Sequence, residues 1–198
     1  GWTGVVAGID DYLMVVLGSG LGSGLVIGGR VYQGSHGHGC EMGHTIVSAG
    51  GRRCGCGADG CLEAYVSETA ARAVVSEAGE GFGQMVADRA QAGGCHSGYA
   101  SALFELAAEG EATAGGLAAG MVSMLGAGLA SAVNAFDVTT VVLGGGMAPA
   151  FVARTGELSA AMGPLLFARP AEDVRLLEAS AGSYAGAIGA ARLAMLSL

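Results

Sequence analysis

The chain is 198 residues long with a formal net charge of −8, and all nine of its Lys-or-Arg residues are arginine. That length buries one good core, or one core with a small appendage, and an acidic chain without a basic cluster is a poor nucleic-acid binder on its own. Its five cysteines, an odd number set in a metal-like pattern, argue for a reducing, cytoplasmic compartment, and its first residues do not read as a signal peptide.

In chain order, Tyr12 to Leu17 is a continuous apolar run with β-branched valines and reads as a buried strand. Asp10 and Asp11 stand at its entry and read as solvated. Gly18 to Gly24 follows as a loop. Leu25 to Ile27 and Arg30 to Tyr32 flank Gly28-Gly29, the signature of a tight hairpin. A glycine-rich segment holding His36 and His38 leads to a short strand at Thr45 to Val47. Glu63 to Glu77 has helical composition, with Ala64, Val66, Ala71, Val74 and Val75 available to an apolar face. Tyr99 to Ala108 and Ala112 to Phe136 are further helices. The second is long enough to cross a membrane, but its five glycines, Ser123, Ser131 and Asn134 favour a buried helix. Gly116 with Gly120, or Gly126 with Ala130, would let a neighbour approach closely. Thr139 to Leu143 is a second buried strand, ended by Gly144-Gly145-Gly146. Val174 to Leu177 is the last strand and Tyr184 to Leu196 the last helix. The order is α/β, with no linker or internal repeat.

The segment from Glu41 to Glu63 carries the most chemistry. His44 precedes Cys54, Cys56 and Cys61, and three thiolates with one imidazole make the donor set of a closed tetrahedral zinc site. Buried thiols or disulfides are the alternatives. Cys54 and Cys56 are too close in sequence for an unstrained mutual disulfide, and buried cysteine alone would not need glycine at 55, 57 and 60, which lets the backbone wrap around one point. Cys40 would be a fifth donor and Cys95 is remote, so neither reads as a ligand. Glu41 and Glu63 bracket the cluster, although composition alone would make them solvated surface charges.

Two glycine-rich stretches follow strands. In Gly18-Ser19-Gly20-Leu21-Gly22-Ser23-Gly24, alternate glycines can leave backbone N–H groups to converge on an anion, with Ser19 and Ser23 as hydroxyl donors. The lysine of a Walker loop is absent and no helix follows, so neither the P-loop nor the dinucleotide fingerprint applies; a tight turn explains the glycines equally well. Gly144 to Gly146 stands where ligands of α/β sheets gather, or is a plain strand-to-helix turn.

Glu41-Met42-Gly43-His44, followed by Cys54-Gly55-Cys56-Gly57-Ala58-Asp59-Gly60-Cys61-Leu62-Glu63, resembles the two signatures of the ROK family of repressors, open reading frames and sugar kinases, in the family's order and spacing. Leu17 to Val26 is similar to its second phosphate loop and Val141 to Gly146 to its adenosine-side glycine strand end. Cys40 departs from the family, which has glycine there.

The resemblance implies an actin-like (ribonuclease-H-like) α/β domain with a zinc-binding loop at 34–63. It implies substrate contacts from Glu41, His44 and Glu63, with His44 serving as metal ligand through one nitrogen and sugar contact through the other. Nucleotide contacts would come from Gly18, Ser19, Gly20, Gly22 and Gly24 for phosphate, and from Gly144, Gly145 and Gly146 for adenosine. Zinc would be structural and held by His44, Cys54, Cys56 and Cys61, while ATP and magnesium would serve the parent protein. A family kinase also needs an Asp-x-Gly-x-Thr loop and an Asn-Asp pair carrying the catalytic base. Neither stands in this sequence, so residues 1–198 read as a single carboxy-terminal lobe with no catalytic residue of its own, inactive alone, whose helix at 184–196 would pack on an amino-terminal lobe. The expected activity of the parent is phosphoryl transfer from ATP to a hexose or amino sugar. Its alternatives are the effector domain of a sugar-sensing repressor, which would bind DNA through an upstream helix-turn-helix, and a non-catalytic sugar-binding remnant. A homodimer is expected.

Overall fold

The computed structural model describes residues 4–93, 98–180 and 195. Five strands form one sheet in the order β3-β2-β1-β4-β5. β1 (Tyr12–Leu17) pairs antiparallel with β2 (Leu21–Ile27), Leu17 standing opposite Leu21. β2 turns back into β3 (Arg30–Val31) through Gly28 at φ 56° and Gly29 at φ 72°, the pair of left-handed residues that a type I′ hairpin requires. On its other side β1 runs parallel to β4 (Thr140–Gly144), which runs parallel to β5 (Arg175–Glu178). A hairpin set first, then parallel strands reached through helices, is the mixed α/β sheet expected and is consistent with an actin-like fold.

β2 begins at Leu21 rather than Leu25, because Gly22, Ser23 and Gly24 pair with Val16, Val15 and Met14. The turn proper is only Gly18 to Gly20. β1 is not buried throughout: Leu13, Val15 and Leu17 are fully buried, whereas Val16 on the opposite face is 43% exposed. No strand forms at Thr45 to Val47; Ile46 makes an isolated bridge to Cys61.

The helices are α1 (Glu68–Glu77), α2 (Glu80–Ala92), α3 (Tyr99–Ala108), α4 (Ala112–Phe136), α5 (Ala148–Val152) and α6 (Thr155–Met162). α1 starts five residues later than its composition suggests. Leu62–Ala64 is a separate 3₁₀ turn, and Ser67 caps the helix by accepting from Ala70 N at 3.0 Å. α4 packs against α3 and α6. It is long and apolar enough to cross a membrane, yet 56% of its apolar window is buried inside the protein. Leu125 and Leu129 are fully buried, each contributing about 2 kcal/mol. A Cβ at Gly126 would stand 2.7 Å from the Ala161 Cβ, and one at Gly128 would strike the Leu62 side chain. Gly116 and Gly120 face open space instead, so the close approach lies in the second half of α4. The core joins Leu13, Val15 and Leu17 of β1 to Val141 and Leu143 of β4 and to α4, and is closed by the Phe104 and Phe151 rings, 5.0 Å apart. The helix expected at 184–196 lies, apart from Met195, outside the described residues, as does Cys95.

Candidate metal and sugar site

The loop between β3 and α1 has almost no regular ladder. Its backbone closes on itself where Cys54 N donates to Ala58 O at 2.9 Å and Gly57 N to Cys54 O at 3.0 Å, a knuckle that needs Gly57 at φ 97° and Gly60 at φ 90°. A Cβ on Gly60 would run into the Ser48 carbonyl. This wrapping brings one donor atom each from His44, Cys54, Cys56 and Cys61 to within 4.8 Å of one another. Cys56 and Cys61 sulfurs are 3.6 Å apart, and Cys54 Sγ lies 3.8 Å from His44 Nδ1. Zinc–sulfur bonds of about 2.3 Å at tetrahedral angles set sulfurs roughly 3.8 Å apart, whereas a disulfide would hold them at about 2.05 Å. All three cysteines are free thiols, so the donor set and its spacing fit a zinc ion.

The thiols differ in their tendency to ionise. Burial pushes the Cys61 thiol up to about 12, with the Cys56 and Cys54 sulfurs adding to the rise. Cys56 is held below the usual thiol range, first by the Ala58 backbone N–H and then by hydrogen bonds with Cys54 and Cys61. A bound cation is what allows three adjacent sulfurs to ionise together. Cys40 stays outside the cluster, and burial raises its thiol. His36 and His38 are exposed and also outside it.

Glu63 links this loop to the sheet. Its Oε2 accepts from Leu21 N at 2.8 Å, while Oε1 lies 3.9 Å from Cys54 Sγ. A Cβ on Gly20 would meet Oε2, so glycine there lets the carboxylate reach Leu21 N without being displaced. Glu41 is exposed. Its flanking peptides are gripped by Ser23, whose hydroxyl donates to Cys40 O and accepts from Met42 N at 3.0 Å. Ser23 was expected as a phosphate donor; its hydroxyl is engaged with the Glu41 segment instead. His44 is exposed and turns Nδ1 toward Cys54, leaving Nε2 as its second nitrogen.

The glycine turn is fastened from beneath by residues that sequence pattern did not single out. Glu68 N donates to Gly18 O at 2.8 Å and Thr69 Oγ1 to Ser19 O at 2.9 Å. Their signal was Ser67 as an N-cap, which puts the next two residues on the first turn of α1. Gly18 N is taken by Gly20 O at 3.0 Å. Among the described residues, Ser19 N, Gly20 N and the Ser19 hydroxyl hydrogen have no protein acceptor, while Gly22 and Gly24 lie within β2.

The second glycine run abuts this turn, since Val16 is in register with Gly144 and Met147 N donates to Leu17 O at 3.1 Å. Gly144 makes room for Met14 and Ala179, and Gly145, at φ 88°, for the Leu17 carbonyl. Gly146 alone faces open space. Asp10 and Asp11 belong to the opposite end of β1, Asp11 standing seven residues, or roughly 23 Å along the strand, from Gly18; its Oδ1 accepts from Gly28 N at 2.7 Å.

Comparison with known proteins gives a family match and several relatives. The model of the ROK family matches residues 2–196. The glucokinase of Thermotoga maritima is 33% identical over 164 residues, covering 83% of this chain and 49% of that protein. The xylose repressor of Caldicellulosiruptor bescii is 29% identical over 144 residues, covering 72% of this chain and 35% of that protein. The crystal structure of a ROK family glucokinase from Streptomyces griseus with glucose and AMPPNP superposes with a TM-score of 0.76 at 29% identity, covering 93% of this chain and 60% of that one. The chain spans about half the length of the curated relatives it matches.

Proposed function

Because the chain belongs to the ROK family, we propose that it is the sugar- and nucleotide-binding lobe of an ATP-dependent sugar kinase, which transfers the γ-phosphate of ATP to a hydroxyl of a hexose or amino sugar. One observation carries this reading: Glu63 touches the thiol cluster with one oxygen and, with the other, Leu21 N at the end of the glycine turn, so the loop that offers sugar-binding groups is tied to the turn that offers phosphate-binding ones.

His44, Cys54, Cys56 and Cys61 would hold a zinc ion, which supplies rigidity and no chemical step. Glu41 and Glu63 carboxylates accept hydrogen bonds from sugar hydroxyls. Glu63 keeps lone pairs for this beyond the one given to Leu21. His44 contributes Nε2. Ser19 N, Gly20 N and the Ser19 hydroxyl donate to phosphate oxygens, and Gly146 gives adenosine a face without a side chain. In transfer, the sugar oxygen bonds to the γ-phosphorus as the bond to ADP breaks, and the hydroxyl proton passes to a general base. No residue of this chain is assigned that base, so residues 1–198 alone are expected to bind sugar without phosphorylating it.

Calorimetric titration with glucose and N-acetylmannosamine tests the reading. Glu41→Ala and Glu63→Ala should each weaken sugar binding by at least about tenfold. Sugar affinity unchanged in both, or hexose-dependent ADP release by residues 1–198 that disappears in Glu41→Ala, would contradict it. The likeness to a xylose repressor supports a second reading as a sugar-sensing effector domain, which predicts sugar-dependent operator binding by the full-length protein.

A further inference from the structure

We infer that Ser23 is a positioning residue for Glu41, setting the direction of its carboxylate through the backbone; the inference rests on the reading of Glu41 as a sugar contact. Glu41 has φ −79° and ψ 61°, close to the inverse γ-turn, in which the preceding carbonyl would accept directly from the following N–H. Here the Ser23 hydroxyl stands between those two groups. It donates to Cys40 O and accepts from Met42 N at 3.0 Å, so one hydroxyl fixes both peptide planes that flank the Glu41 Cα.

The residues on either side hold this arrangement in place. Cys40 is left-handed at φ 65°, a conformation that residues with a Cβ avoid, and its thiol lies 3.7 Å from the same Ser23 oxygen. Met42 is buried, its methyl against Gly128 of α4. Ser23 itself is fixed within β2, opposite Val15. The Glu41 carboxylate at the centre has no hydrogen-bond or ion-pair partner among the described residues. A solvated surface charge would not need its backbone pinned from both sides by a strand residue. A carboxylate that must meet sugar hydroxyls in one orientation does, because misdirection costs binding.

The test is calorimetry on the full-length, zinc-loaded protein with whichever of glucose and N-acetylmannosamine it binds, alongside AMPPNP affinity and zinc content. Ser23→Ala should raise the sugar Kd about tenfold, with AMPPNP affinity and zinc content unchanged. Ser23→Thr, which keeps the hydroxyl, should stay within about threefold of the parent. If Ser23→Ala does not fold, the comparison is repeated in a Cys40→Gly background, where the left-handed turn carries no side-chain penalty. Sugar affinity unchanged in Ser23→Ala but lost in Glu41→Ala would overturn the inference and leave the sugar site standing. Sugar, AMPPNP and zinc weakened together would make Ser23 a general structural residue and overturn it too. No effect of Glu41→Ala would bring down the reading of Glu41 as a sugar contact and the inference with it.

Discussion

The metal loop and the α4 core hold their shape by different means. Around α4, long side chains such as Leu125, Leu129 and Phe151 are fully buried, and the structure is supported by apolar area removed from water. The loop from Cys40 to Tyr65 buries few large side chains, has only two 3₁₀ turns and two isolated bridges, Ile46 to Cys61 and Arg53 to Asp59, and bends through left-handed residues at Cys40, Gly50, Gly57 and Gly60. A point constraint would order it, and the four donors that converge within 4.8 Å would supply one with a cation among them. Met42 and Leu62 anchor the loop in that core, so the core should keep its shape when the metal is lost, while the loop should need both the core beneath it and the metal within it.

The largest separation of the two regions should follow Cys56→Ser. Losing one ligand should remove zinc and much of its linked stability, on the order of 10 kcal/mol in structural sites. Amide exchange should accelerate across 41–63 and remain slow in α4 and β4; equal acceleration in both would show that they are one cooperative unit. Leu129→Ala should do the reverse, costing about 3 kcal/mol of global stability while a metal assay still finds the parent's zinc content in the folded fraction. Cys40→Gly should stabilise the loop by about 1 kcal/mol, because glycine takes a φ of 65° without the penalty that a Cβ incurs; denaturant melts of the zinc-loaded protein would read this.

The smallest effect should come from Glu77→Gln on α1. Arg52 in the loop donates to both Glu77 oxygens, at 2.8 and 2.5 Å, and this holds the carboxyl below the usual range. A carboxylate with a lowered folded value stabilises above its ordinary value of 4.5, and loses that contribution as pH falls through the lowered one. The pair is exposed, so Glu77→Gln should cost about 0.5 kcal/mol at neutral pH. The difference should vanish in acid below the lowered value, and high salt should shrink it. A pH-independent difference would mean that the pair acts by packing.

The same division explains what the amino-acid sequence made legible. α3 and α4 stand at the bounds that composition suggested, and Gly28-Gly29 turns as its type demands, because these are local consequences of side-chain pattern. The clustering of His44, Cys54, Cys56 and Cys61 was legible because the donor set of a metal site restricts residue type and spacing together. β2 was read too short because Gly22, Ser23 and Gly24 carry no strand signal and are strand only through pairing with β1. α2 was missed because Gly81 and Gly83 sit inside it and weaken its propensity. Ser23 beneath Glu41, and Glu68 and Thr69 beneath the glycine turn, lie 19, 50 and 50 residues from the groups they bind, and no local pattern announces contacts at that range.

The account turns on zinc organising the sugar-binding carboxylates. Native mass spectrometry of the protein as purified, followed by sugar titration before and after chelation, tests this most directly. The account predicts one zinc per chain, loss of sugar binding when it is removed, and recovery when it is restored. Full sugar affinity in the metal-free protein, or a folded chain that never takes up zinc, would contradict it.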